Sequence, residues 1–223
     1  TKLHLGDQEV ESLCRNMLLS EIMELILAEN PIGSEGAQCL SNVENWKNLQ
    51  ILDLHETSIG DKGVAELSKN ASWINLQTLN LAQSKIGTQG AAELSRNTAW
   101  TNLKELLLQH NKIGGEGAAA LSKNASWINL HFLDLSDTNI DEHGAVELGK
   151  NLSWTQLQTL NLSRNKIGDK GAQELSKNTA WTKLQALYLS ENSIGYFGGV
   201  ELCKNIAWTN LQVLDLNLNK IDV

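Results

Sequence analysis

Apolar and polar positions recur along the chain in one fixed phrase, L-x-x-L-x-L-x-x-N/T/S-x-I-G-x-x-G-A-x-x-L-S-x-N-x-x-W. Its copies begin at Ile22, Leu49, Leu76, Leu103, Leu130, Leu157, Leu184 and Leu211, each 27 residues after the last. In the opening segment the last two leucines alternate with polar residues, the two-residue period of a half-buried strand. An Ile-Gly pair such as Ile59-Gly60 then turns the chain. The stretch "DKGVAELSKN" that follows sets Val64 and Leu67 three apart, on one helical face. Ser34, Asp61, Thr88 and Asp169 are predicted N-caps of these short helices. A period in this range marks a solenoid. Strand, turn, helix and return loop make a right-handed coil with a parallel sheet. A helix is about 10–12 Å wide and strands lie about 4.8 Å apart, so the stack must curve with its strands inside. The predicted fold is therefore an α/β horseshoe, with a parallel sheet on the concave face and short helices on the convex face.

Three further columns carry the repeat. Asn30, Thr57, Ser84, Asn111, Thr138, Asn165, Asn192 and Asn219 offer only short hydrogen-bonding side chains where the chain leaves each strand. They are expected to form a buried ladder with the backbone of neighbouring turns. Asn70, Asn97, Asn124, Asn151, Asn178 and Asn205 fall just past each helix, where a left-handed residue is expected to end it. All seven tryptophans (Trp46, Trp73, Trp100, Trp127, Trp154, Trp181 and Trp208) share one register, which predicts an indole ladder along one edge.

This pattern resembles the leucine-rich repeat family, and its "N-x-I-G-x-x-G-A-x-x-L" half resembles the ribonuclease-inhibitor-like subclass. The resemblance covers residues 19–223 as eight copies, the last incomplete, and residues 1–18 read as a degenerate half-repeat or cap. The final "NKIDV" stops after a strand, which sets Leu214 and Leu216 near solvent in the absence of a cap. Two departures are visible: the units are slightly short for that subclass, and the tryptophan column lies outside its usual consensus. Regular tryptophan-bearing repeats of this kind are similar to those of effectors secreted by intracellular bacteria and to those in some protists. The resemblance implies a non-enzymatic protein-binding module, able to inhibit a partner by covering its functional surface. Some ribonuclease-inhibitor-like proteins instead activate GTPases, and Arg164 is the candidate arginine for that alternative. A third reading is a structural or adaptor segment of a larger chain.

Packing fixes some columns and leaves four free on the concave side. The first runs Glu24, Ile51, Thr78, Glu105, Phe132, Thr159, Ala186, Val213. The second runs Ile26, Asp53, Asn80, Leu107, Asp134, Asn161, Tyr188, Asp215. The third and fourth begin at Ala28 and Glu29, and the fourth includes Glu56, His110, Asp137, Arg164 and Glu191. Together they hold nine acids and one base, Arg164, which matches the net charge of −8 of the whole chain. Elsewhere acids and bases cancel. Ile51, Leu107, Phe132, Tyr188 and Val213 are apolar there without packing duty. An acidic wall dotted with apolar anchors suits a protein partner with a basic patch. It is unsuited to nucleic acid, which draws lysine and arginine. The expected contact set is Ile51, Asp53, Glu56, Glu105, Leu107, Phe132, Asp134, Asp137, Arg164, Tyr188, Glu191, Val213 and Asp215.

No apolar run reaches the 18 residues of a membrane span, so no membrane partner is expected. Thr1 opens no signal-like segment, so any targeting signal lies outside this sequence or never existed. Cys14, Cys39 and Cys203 are sparse and odd in number, and Cys14 and Cys203 lie seven repeats apart. Free thiols point to a reducing compartment, the cytoplasm or, by the effector resemblance, a host cytosol. No cofactor is expected. "GGEG" at 114–117 is one unit's turn and lacks the lysine of a phosphate loop. His110 with Asp137, or His55 with Glu56, offers too few ligands for a metal. The acceptor tripeptides at Asn70, Asn124 and Asn151 are explained as helix ends, and a fourth stands at Asn161.

Overall fold

A computed structural model describes residues 4–16 and 20–221. The boundary expected between residues 18 and 19 lies outside these, as do Asp222 and Val223. The elements alternate as predicted. Helix α1 (Asp7–Cys14) precedes β1 (Glu24–Ile26), α2 (Ser34–Ser41), β2 (Ile51–Asp53), α3 (Gly60–Leu67), β3 (Thr78–Asn80) and α4 (Thr88–Leu94). Then come β4 (Glu105–Leu107), α5 (Gly114–Leu121), β5 (Phe132–Asp134), α6 (Glu142–Gly149), β6 (Thr159–Asn161), α7 (Gly168–Ser176), β7 (Ala186–Tyr188), α8 (Tyr196–Leu202) and β8 (Val213–Asp215). The strands form one open parallel sheet in chain order, with each residue paired one period on: Glu24 with Ile51, Ile51 with Thr78, Thr78 with Glu105. The core is continuous. Leu52, Leu54, Ile59, Val64, Leu67 and their copies in the inner repeats are buried between sheet and helices, while Leu214 and Leu216 at the last strand are half-buried.

All seven tryptophans are buried, and six stack in pairs: Trp73–Trp100, Trp127–Trp154 and Trp181–Trp208, with centroids 6.1–6.5 Å apart. The ladder is thus a set of dyads. Trp100 and Trp154 donate their indole N–H to the Asn70 and Asn124 carbonyls at 3.1 and 3.2 Å. The remaining five indoles have no such acceptor among the described residues.

The asparagines after each helix differ from expectation. None of them is left-handed. The side chain bridges turns instead: Asn97 Nδ2 donates to the Ser68 and Asn70 carbonyls, while its Oδ1 accepts from Ala99 and Trp100 N–H. A buried asparagine that satisfies four backbone groups needs no unusual backbone. The asparagines that follow the strands form the expected ladder. Asn111 Oδ1 accepts from the Ser84 and Ile86 N–H, and its Nδ2 donates to the Leu81 and Leu108 carbonyls.

The predicted N-caps also need correction. Gly60, Gly114 and Gly168 open their helices with φ of +57°, +68° and +60°, whereas Gly33, Gly87, Asp141 and Gly195 are extended N-caps. Successive repeats therefore alternate between two turns. Asp61 and Asp169 do not cap their own helices; each carboxylate accepts from the next repeat, at Gly87 N and Gly195 N, both at 2.6 Å. Asp7 does the same for Gly33 and Gly36. Ser34 begins α2 behind Gly33, and Thr88 Oγ1 donates to the Ile113 carbonyl. Each acid lies in the first turn of one helix and reaches the exposed N–H groups of the next.

The candidate concave interface

Register places the first two expected columns side by side across all eight strands, with Glu105 opposite Phe132 and Leu107 opposite Asp134. Of the expected contact residues, Glu56, Glu105, Asp137, Arg164, Glu191 and Val213 are exposed. Ile51, Asp53, Leu107, Phe132, Tyr188 and Asp215 are half-buried, and Asp134 is buried. Ile26 at the start of the second column and Leu218 at the end of the fourth are exposed and extend the apolar set.

The second column carries a local duty that sequence reasoning missed. Asp53, Asn80, Asp134, Asn161 and Asp215 each accept from the backbone N–H two residues on, at 2.8–3.2 Å. This turn ends the strand. Asp134 is the most committed, since its carboxylate also takes the Ser136 hydroxyl at 2.6 Å and Asn161 Nδ2 at 3.1 Å. Asp53 holds His55 Nδ1 at 2.8 Å. Only Asp and Asn occupy five of eight positions in that column, and this was the available signal. Ile26, Leu107 and Tyr188 break the column and cannot make the turn bond, so their side chains have no such local role.

The fourth column lies just past the strands rather than on them. Glu29, Glu56, Gln83, His110, Asp137, Arg164, Glu191 and Leu218 all adopt φ between +52° and +58°. Left-handed backbone costs a non-glycine residue roughly 1–2 kcal/mol. Each of the first seven N–H groups offsets this by donating to the next repeat, as Glu56 does to the Ala82 carbonyl at 2.9 Å. No β-branched residue occurs in this column, in keeping with that backbone. Neighbours here pair along the rim. Arg164 Nε meets Glu191 Oε1 at 2.9 Å, and His110 Nδ1 meets Asp137 Oδ2 at 2.9 Å.

A cavity of about 710 Å³ beside this rim is lined by Glu56, Asp61, Lys85, His110 and Lys112, mixing both signs of charge. Among the described residues no three His, Cys, Asp or Glu side chains converge to hold a metal. No described helix is long and apolar enough to cross a membrane.

The family model described as leucine-rich repeat matches residues 22–41, 47–68, 74–95, 101–122 and 155–176. These segments span strand and helix of five of the units just described. The chain is a leucine-rich-repeat protein. Among curated protein sequences, none matches it. The crystal structure of an internalin from Listeria monocytogenes is similar to this leucine-rich-repeat chain at 22% identity with a TM-score of 0.53. The likeness covers 96% of this chain and 65% of the internalin's, so the chain spans about two thirds of that structure's length. At that identity the comparison speaks to the fold.

Proposed function

We propose that the chain is a non-enzymatic module that binds a protein partner bearing a basic patch through its concave face. The carrying observation is the break in the second column: Leu107 and Tyr188 stand where other repeats place a turn-forming Asp or Asn. Phe132 lies on the next strand opposite Glu105, one diagonal step from Leu107, and exposed Glu56 and Glu105 supply the charge. Leucine-rich repeats generally mediate protein–protein interaction, and this supports the reading. Asp53, Asp134 and Asp215 contribute field more than contact, because their oxygens already serve the backbone. In the ribonuclease-inhibitor-like mode the horseshoe would inhibit its partner by covering it. The three free cysteines fit a reducing cytosol, the chain's own or a host's. Activation of a GTPase by Arg164 is disfavoured, since Glu191 already engages that guanidinium.

The test is affinity for a captured partner. Tyr188→Ala and Phe132→Ala should each weaken binding by about 2 kcal/mol, with the melting temperature little changed. Affinity should also fall with added salt. Unchanged binding in both variants would remove the concave face from the interface.

A further inference from the structure

One flank of the solenoid, built from the loops that return each helix to the next strand, is almost without charge. Its neutral part is made by six successive loops, at residues 70–75, 97–102, 124–129, 151–156, 178–183 and 205–210, which follow the loop at 43–48 with its exposed Glu44 and Lys47. They present twenty-five accessible residues, of which Lys183 alone is charged, in a chain whose residues are 20% charged. Among the described residues, four exposed large apolar side chains lie on this ledge, Ile74, Ile128, Leu152 and Ile206, the last 91% accessible; the others lie at the first and last strands and on α8. The ledge is cross-braced. Asn75, Asn102, Asn129 and Asn210 each donate to a carbonyl of the preceding loop, at 2.6–2.9 Å. A salt-bridged ridge at the helix ends, with Lys69–Glu66, Arg96–Glu93 and Lys150–Glu147, borders it. A charge-depleted centre with a charged rim is the anatomy of a protein interface, and a standard one takes about 20–30 residues a side.

We propose that this ledge binds a second copy of the chain, two horseshoes packing flank to flank about a two-fold axis. Three observations select that occupant. Each copy carries a net charge of −8, concentrated on the concave columns, so two copies meet with least like-charge repulsion through a face that carries almost no charge. The ledge is fan-shaped, with loops closer together at the strand edge than at the helix edge. Such a fan covers all six neutral loops of its copy only by rotation about the radial line between the third and fourth of them. That rotation sets the first loop on the sixth of the copy, the second on the fifth and the third on the fourth. The side chains then interdigitate, large on small: Ile206 over Ala71, Ile74 over Thr209, Leu152 over Ala125 and Ile128 over Thr155. The second and fifth loops, each Asn-Thr-Ala-Trp-Thr, meet as threonine on threonine. The interface is isologous and closed. Both concave faces stay open.

Sedimentation equilibrium on the intact chain tests this, with far-UV circular dichroism confirming that each variant folds. The wild type should populate twice the 24.5 kDa chain mass in the micromolar range. Leu152→Glu, or Ala125→Lys, should raise the dimer dissociation constant about tenfold or more. The double variant should restore dimerisation, because the two-fold sets the introduced lysine of each copy against the introduced glutamate of the other. Ile206→Glu is a second breaker at the ledge's end. A wild type that stays at the monomer mass at about 100 μM, weaker than specific interfaces of this size, would overturn the proposal. So would single variants that leave the dimer intact, or a double variant that fails to recover it.

Discussion

A Cβ added to Gly115 would lie 2.0 Å from Asp141 Oδ1, and this pair inverts an arrangement the other repeats share. At Asp7/Gly33, Asp61/Gly87 and Asp169/Gly195 the acid sits on the earlier repeat and the glycine on the later one. Here Asp141 occupies the later position, caps its own helix through Gly144 N at 3.0 Å, and glycine fills the earlier one. One carboxylate serves each of these four junctions, from whichever side supplies it. Gly115→Asp alone should destabilise the fold by about 1–3 kcal/mol through overpacking. Asp141→Gly alone should cost about 1 kcal/mol, the loss of a cap. The double variant rebuilds the arrangement of the other junctions and should return close to wild type in urea unfolding.

The indole dyads separate packing from hydrogen bonding. Trp127→Ala and Trp154→Ala should each cost about 3–5 kcal/mol, as buried aromatic truncations do. Phenylalanine distinguishes them. Trp154→Phe loses the bond to the Asn124 carbonyl and leaves that oxygen short of a donor, whereas Trp127 has no such bond to lose. Trp154→Phe should therefore be the more destabilising by about 1 kcal/mol in the same denaturation series.

Not all concave acids are alike. Asp134→Ala strips acceptors from Ser136 and Asn161 in a buried setting and should lower stability by about 1–3 kcal/mol. Glu105→Ala, exposed and bonded only to the Thr78 hydroxyl at 3.2 Å, should stay within about 0.5 kcal/mol of wild type. Thermal unfolding of the two variants compares them directly. Equal losses would mean that the turn bond of the second column contributes nothing.

Thiol chemistry should sort by burial. Cys14 is the last residue of α1, where burial above all, with Cys39 and Glu11 nearby, pushes its pKa up to about 12. Since the thiolate is the nucleophile, Cys14 remains protonated across ordinary pH and gains reactivity only as pH nears that value. Cys203 is exposed on the last described helix end. Iodoacetamide at pH 8, followed by peptide mass mapping, should label Cys203 well before Cys14.

The repeat made most of the fold legible, because each leucine, tryptophan and ladder asparagine recurs with the spacing that its packing requires. What escaped were features in which identical residues behave differently. Gly60 and Gly87 stand in the same column after the same isoleucine, yet one is left-handed and the other extended. Asp141 was the visible clue, since a carboxylate replaced glycine only where the backbone is extended. The candidate site was legible as a surface but not as a set of free side chains. Alternation placed Asp53 and Asp134 on the concave face, and only coordinates reveal that their oxygens are already occupied by His55 and Ser136. Long-range pairs such as Asp61 with Gly87 are invisible to reasoning confined to one helix.

The alternation of turns also governs how such a molecule can change length. A stack of equivalent coils could gain or lose one anywhere, but here removing a single coil would bring two like turns together. A dyad of indoles would also lose a partner at that junction. Genetic growth or trimming of this array should therefore proceed two coils at a time, and an engineer lengthening it would do well to copy in couplets.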